Sequence, residues 1–71
     1  MTGKEKLMLI LRRRDGLTEE EAENVFSEAK ERVLNAILGI THEDPEDAFM
    51  DEMGLEMDYI DMMLFPDMAV Q

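Results

Sequence analysis

The side chains here that could do chemistry are mostly carboxylates, with one histidine and no cysteine among 71 residues. His42 lies with Glu43, Asp44 and Asp47, a spacing from which a metal site could be sketched. A structural zinc site normally takes four nitrogen or sulfur ligands. One histidine and loosely spaced carboxylates fall short of that. The stretch also lacks the alternating oxygen ligands and central glycine of an EF-hand loop. His42 therefore reads as an exposed linker side chain, with no metal and no cofactor expected. Ser27 falls on the solvent side of its helix with no histidine beside it in sequence, so it does not read as a nucleophile. There is no G-x-G-x-x-G, no Walker-type loop and no nucleophile elbow. Paired carboxylates can act as general acid and base, but a small helical chain leaves little room for a substrate pocket. The expectation is a protein that is not an enzyme.

Charge is the more informative property. The formal net charge is −11, and all seven basic residues, Lys4, Lys6, Arg12, Arg13, Arg14, Lys30 and Arg32, precede Gly39. After Gly39 come ten carboxylates and no Lys or Arg, beside a nearly neutral first half. Such a field repels nucleic acid and anionic membrane and attracts basic surfaces. Arg12, Arg13 and Arg14 could be a nucleic-acid contact, but the acid elsewhere and the lack of interleaved aromatics favour a helix-dipole role. The longest apolar run, Leu7 to Leu11, is too short to cross a bilayer and has no cleavage site of a signal peptide. Eight methionines and no cysteine fit a reducing compartment. The expectation is a soluble, cytoplasmic protein.

The elements that must hold these charges are helices. The span from Thr18 to Gly39 reads as one long amphipathic helix. Thr18 and Glu21 form a capping box, and Gly39 is placed for the left-handed position that ends a helix. Ala22, Val25, Phe26, Ala29, Val33, Ala36, Ile37 and Ile40 recur at helical spacing as one stripe, with the core centred on Val25, Phe26, Ala29, Val33 and Ile37. Leu34 and Leu38 lie beside it. Glu28 precedes Arg32 by one turn in the favourable order for an ion pair. A preceding helix spans Lys4 to Arg14, with Leu7, Met8, Ile10 and Leu11 apolar, and Asp15-Gly16 closes it. After a linker from Ile40, Asp44 caps a short helix from Pro45 to Met53. Ala48, Phe49 and Met53 face inward, Gly54 stops the helix and Leu55 plugs the core. A last short helix runs from Met57 to Leu64 with Ile60, Met63 and Leu64 on one face and Tyr59 at its edge. Phe65-Pro66 ends it, and residues 65–71 read as a loose tail.

No stretch alternates with the period of a strand. The predicted fold is thus all-α: a single domain over residues 1–71, one long central helix with a preceding helix and two short C-terminal helices. A chain this size has a marginal core. Six methionines, Met50, Met53, Met57, Met62, Met63 and Met68, crowd the last third. Met53 and Met63 fit the core, while Met50, Met62 and Met68 are harder to bury and could belong to a plastic binding surface.

Two segments, Asp15-Gly16-Leu17-Thr18-Glu19-Glu20-Glu21-Ala22-Glu23 and Gly54-Leu55-Glu56-Met57-Asp58-Tyr59-Ile60, are similar to small uncharacterised acidic proteins encoded by phages and integrated mobile elements of Gram-positive bacteria. The likeness covers roughly Leu7 to Leu64. Where this chain has Met57, that group has proline. The resemblance implies a setting among phage or mobile-element accessory genes. That setting includes inhibitors of host defence nucleases, some of them DNA mimics, and transfers no catalytic residue.

Two functions are compatible with these features. In the first, the chain is a non-enzymatic acidic inhibitor that occupies a basic, nucleic-acid-binding surface of a host protein. Its partner-binding residues would be Glu43, Glu46, Asp47, Asp51, Glu52, Asp58 and Asp61, with Tyr59 and Met62 as apolar anchors. It would bind neither nucleic acid nor membrane directly. In the alternative, it is a structural or assembly module that homodimerises through its helices, and the acid only solubilises it.

Overall fold

A computed structural model of the chain describes residues 1–70, and Gln71, the last residue of the expected tail, lies outside the described residues. Four α-helices follow one another: α1 (Gly3–Asp15), α2 (Glu19–Ile37), α3 (Pro45–Met53) and α4 (Ile60–Leu64). A 3-10 turn, Met57–Tyr59, leads into α4, so the expected last helix starts with a tighter turn. Among the described residues there is no strand, only an isolated antiparallel bridge between Thr2 and Ala69.

Local signals explain the helix ends. Thr18 accepts a hydrogen bond from the Glu21 amide at 3.1 Å, and Glu21 accepts one from the Thr18 amide at 2.9 Å. Between them they satisfy donors that the first turn of α2 would otherwise leave orphaned. A second capping box, Thr2 with Glu5, starts α1 one residue before the expected Lys4, with bonds of 3.2 Å and 2.9 Å. Gly39, at φ 77°, closes α2. The Ile40 amide donates to Asn35 O at 2.9 Å and the Gly39 amide to Ala36 O at 3.2 Å. That bond pair is a Schellman motif, and the positive φ is why glycine stands there.

The core joins Leu7 and Leu11 of α1, Ala22, Phe26, Ala29 and Val33 of α2, Ala48, Phe49 and Met53 of α3, and Met63 of α4. Val25, Met50, Leu55, Tyr59, Ile60, Met62 and Leu64 pack around it, half-buried. Burying this apolar surface is what drives the fold. α2 packs on α3 and α1, while α4 docks on α1 and on the 3-10 turn. The long helix is therefore central to the first three elements, and α1 carries the fourth.

Two expectations are corrected here. Ile37 is 48% exposed and Ile40 66% exposed, so neither belongs to the core. Helical period tells which side of α2 faces inward but not how far its neighbours reach. Ala36, in the same last turn of α2, is buried while Ile37 beside it is not, so the covered arc is narrower than the apolar stripe. The tail over residues 65–70 is not loose either. The Gly3 amide donates to Met68 O at 2.8 Å, the Lys4 amide to Pro66 O at 3.1 Å, and the Val70 amide to Met1 O at 2.8 Å. Two of these donors are first-turn amides of α1, groups that have no partner inside a helix. The tail supplies their acceptors.

Candidate functional site

The acidic second half is positioned by α3, by the 3-10 turn and by α4. Asp44 caps α3 by accepting from the Glu46 amide at 2.8 Å. Glu46 and Asp47 occupy the first turn of α3, where the positive end of the helix dipole favours them.

The seven expected partner-binding carboxylates divide into two sets. Glu43, Asp51 and Glu52 converge on a single cation, Arg32 of α2. Arg32 Nε donates to Glu43 Oε2 at 3.0 Å and Nη2 donates to Oε1 at 2.7 Å, a bidentate fork. Its Nη1 donates to Asp51 at 2.6 Å and to Glu52 at 2.8 Å. The hydrogen bonds from Glu43, then Asp51 and Glu52, hold the Arg32 guanidinium pKa above its ordinary value. Arg32 in turn holds the Glu43 carboxyl below its ordinary range. Arg32 thus ties the loop after α2 to the second half of α3, and does not pair with Glu28 as expected. These three carboxylates face an internal cation, which partly occupies them.

The second set, Glu46, Asp47, Asp58 and Asp61, is exposed. Among the described residues none of the four has a side-chain hydrogen bond or an ion pair. Of the expected anchors, Tyr59 and Met62 are half-buried and pack on the core. They are held in place and offer an edge, not a free side chain. The apolar group exposed beside them is Met57, at 47%.

Two other cations, Arg14 and Lys4, have partners of their own. Arg14 was expected to complement the dipole of its own helix. It does stand in the last turn of α1, and its Nη2 also donates to Met53 O at 2.7 Å and its Nη1 to Gly54 O at 3.0 Å, capping the carbonyl end of α3. Its other bonds, 2.9 Å and 2.8 Å, go to Asp15, which keeps the Asp15 carboxyl below its ordinary range. Lys4 donates to Glu23 at 2.7 Å and sits 5.5 Å from the centre of the Phe26 ring. The capping-box bonds to Thr2 and Thr18 likewise hold the Glu5 and Glu21 carboxyls low.

Arg32 and Arg14 are the residues that sequence reasoning missed. The signal available for Arg32 was its isolation. It is the last basic residue before ten carboxylates, and a long guanidinium with many carboxylates in reach takes more than its nearest neighbour. His42 is exposed. Among the described residues no group of three or more His, Asp or Glu side chains could hold a metal ion. None of their helices is long and apolar enough to cross a membrane. No protein-family model, curated protein or solved structure matches this chain.

Proposed function

We propose that the chain is a non-enzymatic acidic interaction module that occupies a basic, nucleic-acid-binding surface of a bacterial host protein. The observation that carries the proposal is the free state of Glu46, Asp47, Asp58 and Asp61, four exposed carboxylates on α3 and its C-terminal neighbours with no internal cation. A net charge of −11 costs a small fold self-repulsion. Gathering most of it beyond Gly39 gives one face a field that steers a cationic partner. Arg32 supports this role by fixing the loop after α2 and the second half of α3, so the free carboxylates stand on a held frame.

Mimicry here is of sign more than of spacing. Side chains one turn apart on a helix are about 6 Å apart along the axis, whereas duplex DNA carries a charge every ~1.7 Å. Each exposed pair with a partner Lys or Arg contributes only about 0–1 kcal/mol. The complex therefore needs several pairs and an apolar contact, for which Met57 at 47% exposure is the nearest candidate. The likeness to phage and mobile-element proteins adds the setting, a cytoplasmic inhibitor of host defence.

The test is capture from a bacterial lysate at low salt, followed by a nucleic-acid-binding assay on the captured protein. The expected result is a basic partner whose DNA or RNA binding falls as the chain is added. A captured partner that binds nucleic acid equally well with and without the chain would end the inhibitor proposal.

A further inference from the structure

α4 and the tail are held more lightly than the rest of the fold. Of the residues from Ile60 to Val70, Met63 alone is buried. Asp61 and Asp67 enter no ion pair among the described residues. The segment rests on the seat of Met63 in the core, on half-buried Ile60, Met62 and Leu64, and on the backbone bonds that the Gly3, Lys4 and Val70 amides make. The other helices have more. α1 is thirteen residues long with its own cap at Thr2, α2 packs on both α1 and α3, and Arg32 and Arg14 tie down α3. Few buried side chains and many exposed backbone bonds are the marks of a region that opens by itself.

We propose that Ile60 to Val70 is a latch: α4 and the tail leave α1 together, hinging at the 3-10 turn, while α1, α2 and α3 stay packed. Length makes the opening all-or-none. α4 has five residues, and a helix shorter than about 12 is marginal alone in water. It therefore persists only while docked on α1. Once Met63 leaves its seat, the helix is lost and the Pro66 and Met68 carbonyls no longer face the Lys4 and Gly3 amides. The hinge is placed by the 3-10 turn, Met57–Tyr59, which packs on α3 as well as on α4. Such tight turns often mark hinges. Opening uncovers Met63 and the side of α1 beneath α4. It also frees Asp61 and Met62 from the frame that carries Glu46 and Asp47, so the acid-rich half has a fixed part and a movable part. The latch itself does not rest on the acidic reading of function.

Native-state hydrogen exchange of the full chain tests this, read by NMR over a series of low denaturant concentrations. The Lys4, Phe65 and Val70 amides, bonded to Pro66 O, Asp61 O and Met1 O, are the reporters. They should share one protection factor, at least about tenfold below that of Ala29 and Val33 in α2, and one denaturant slope, because a unit that opens exposes surface. Arg32→Gln loosens only contacts that survive the opening. It should speed exchange at Ala29 and Val33 and leave the three reporters at the parental rate. Met53 and Met63, both fully buried, give a second reading that needs no variant. Under dilute hydrogen peroxide Met63 should become the sulfoxide at least about tenfold faster than Met53, since only Met63 is uncovered by the latch. Reporters as protected as Ala29, or sped by Arg32→Gln to the same degree, would show that the segment opens only with the whole fold and overturn the proposal. Three unrelated protection factors without denaturant slope would show mere fraying of ends and overturn it too, as would equal oxidation of Met53 and Met63. All of these are read on the chain alone, so the latch and the acidic binding face can fail separately.

Discussion

Gly3→Ala sets two physical effects against each other, and the structure decides the sign. Gly3 is the first residue of α1 and is buried. Helix propensity favours alanine over glycine by up to about 1 kcal/mol, partly because alanine restricts the unfolded chain. Judged on the helix alone, the substitution stabilises. A Cβ at Gly3 would, however, meet Met62 O at 2.7 Å, Met62 Cα at 2.9 Å and Met62 Cβ at 3.1 Å. Two of the three are backbone-fixed atoms of α4 and cannot rotate away. α1 and α4 would have to separate, straining the bonds from the Gly3 and Lys4 amides to Met68 O and Pro66 O. Overpacking of this kind typically costs about 1–3 kcal/mol, more than the propensity gain over most of that range. A net loss of about 1–2 kcal/mol follows, which for a domain of this size lowers the Tm by roughly 4–16 °C. Thermal melts followed by circular dichroism read it directly. A Tm equal to or above that of the parent would mean that α4 does not sit against α1 at Gly3, and the account of the tail would fall with it.

Phe49→Ala, at a fully buried site, should cost about 3–5 kcal/mol and lower the Tm by at least about 12 °C in melts followed by circular dichroism. Ile37→Ser, at a 48% exposed position, should instead leave a dilute, monomeric sample within a few degrees of the parent. An Ile37→Ser loss as large as that of Phe49→Ala would restore Ile37 to the core. Arg32→Gln should lower the Tm at neutral pH, and the gap from the parent should depend on acid. Glu43 has its folded pKa held below the ordinary 4.5 by Arg32, so that stabilisation is fully present above about 4.5 and is lost as pH falls through the folded value. The charge repulsion relieved by acid is nearly common to both chains. Melts of the pair from pH 7 downward should therefore converge, and a gap independent of pH would mean that Arg32 does not hold Glu43.

What could be read in the chain was local chemistry. Thr18 with Glu21, Asp44 before Pro45, and Gly39 at a Schellman end are decided within six residues, and so were legible. The Thr2–Glu5 box is equally local and starts α1 at Gly3, one residue before the expected Lys4. Longer-range placement was less accessible. Arg32 has Glu28 one turn away, but its partners are Glu43, Asp51 and Glu52, brought in by the packing of α3 on α2. Ile37 and Ile40 keep the period of the stripe, but period carries no information on how wide an arc the neighbouring elements cover, and Ile40 lies beyond the end of α2. The tail is held by backbone amides and carbonyls, which leave no mark on residue type. The candidate site was half legible for the same reason. Segregation of acid beyond Gly39 is written in the chain, whereas the difference between clamped Asp51 and free Asp47 exists only once α2 and α3 have packed.

The proposed role as an acidic binder is tested most directly by association kinetics with the captured basic partner across a salt series. Parent chain and a variant carrying Glu46→Lys, Asp47→Lys, Asp58→Lys and Asp61→Lys would be compared, with Arg32 and its three carboxylates untouched. The parental rate constant should be at least about tenfold higher at low salt and should fall steeply as ionic strength rises. The two curves should meet near 1 M salt, where the screening length shrinks to about 3 Å. Equal rate constants at every salt concentration, with both chains helical by circular dichroism, would contradict it: the acid would then be a solvated surface and nothing more.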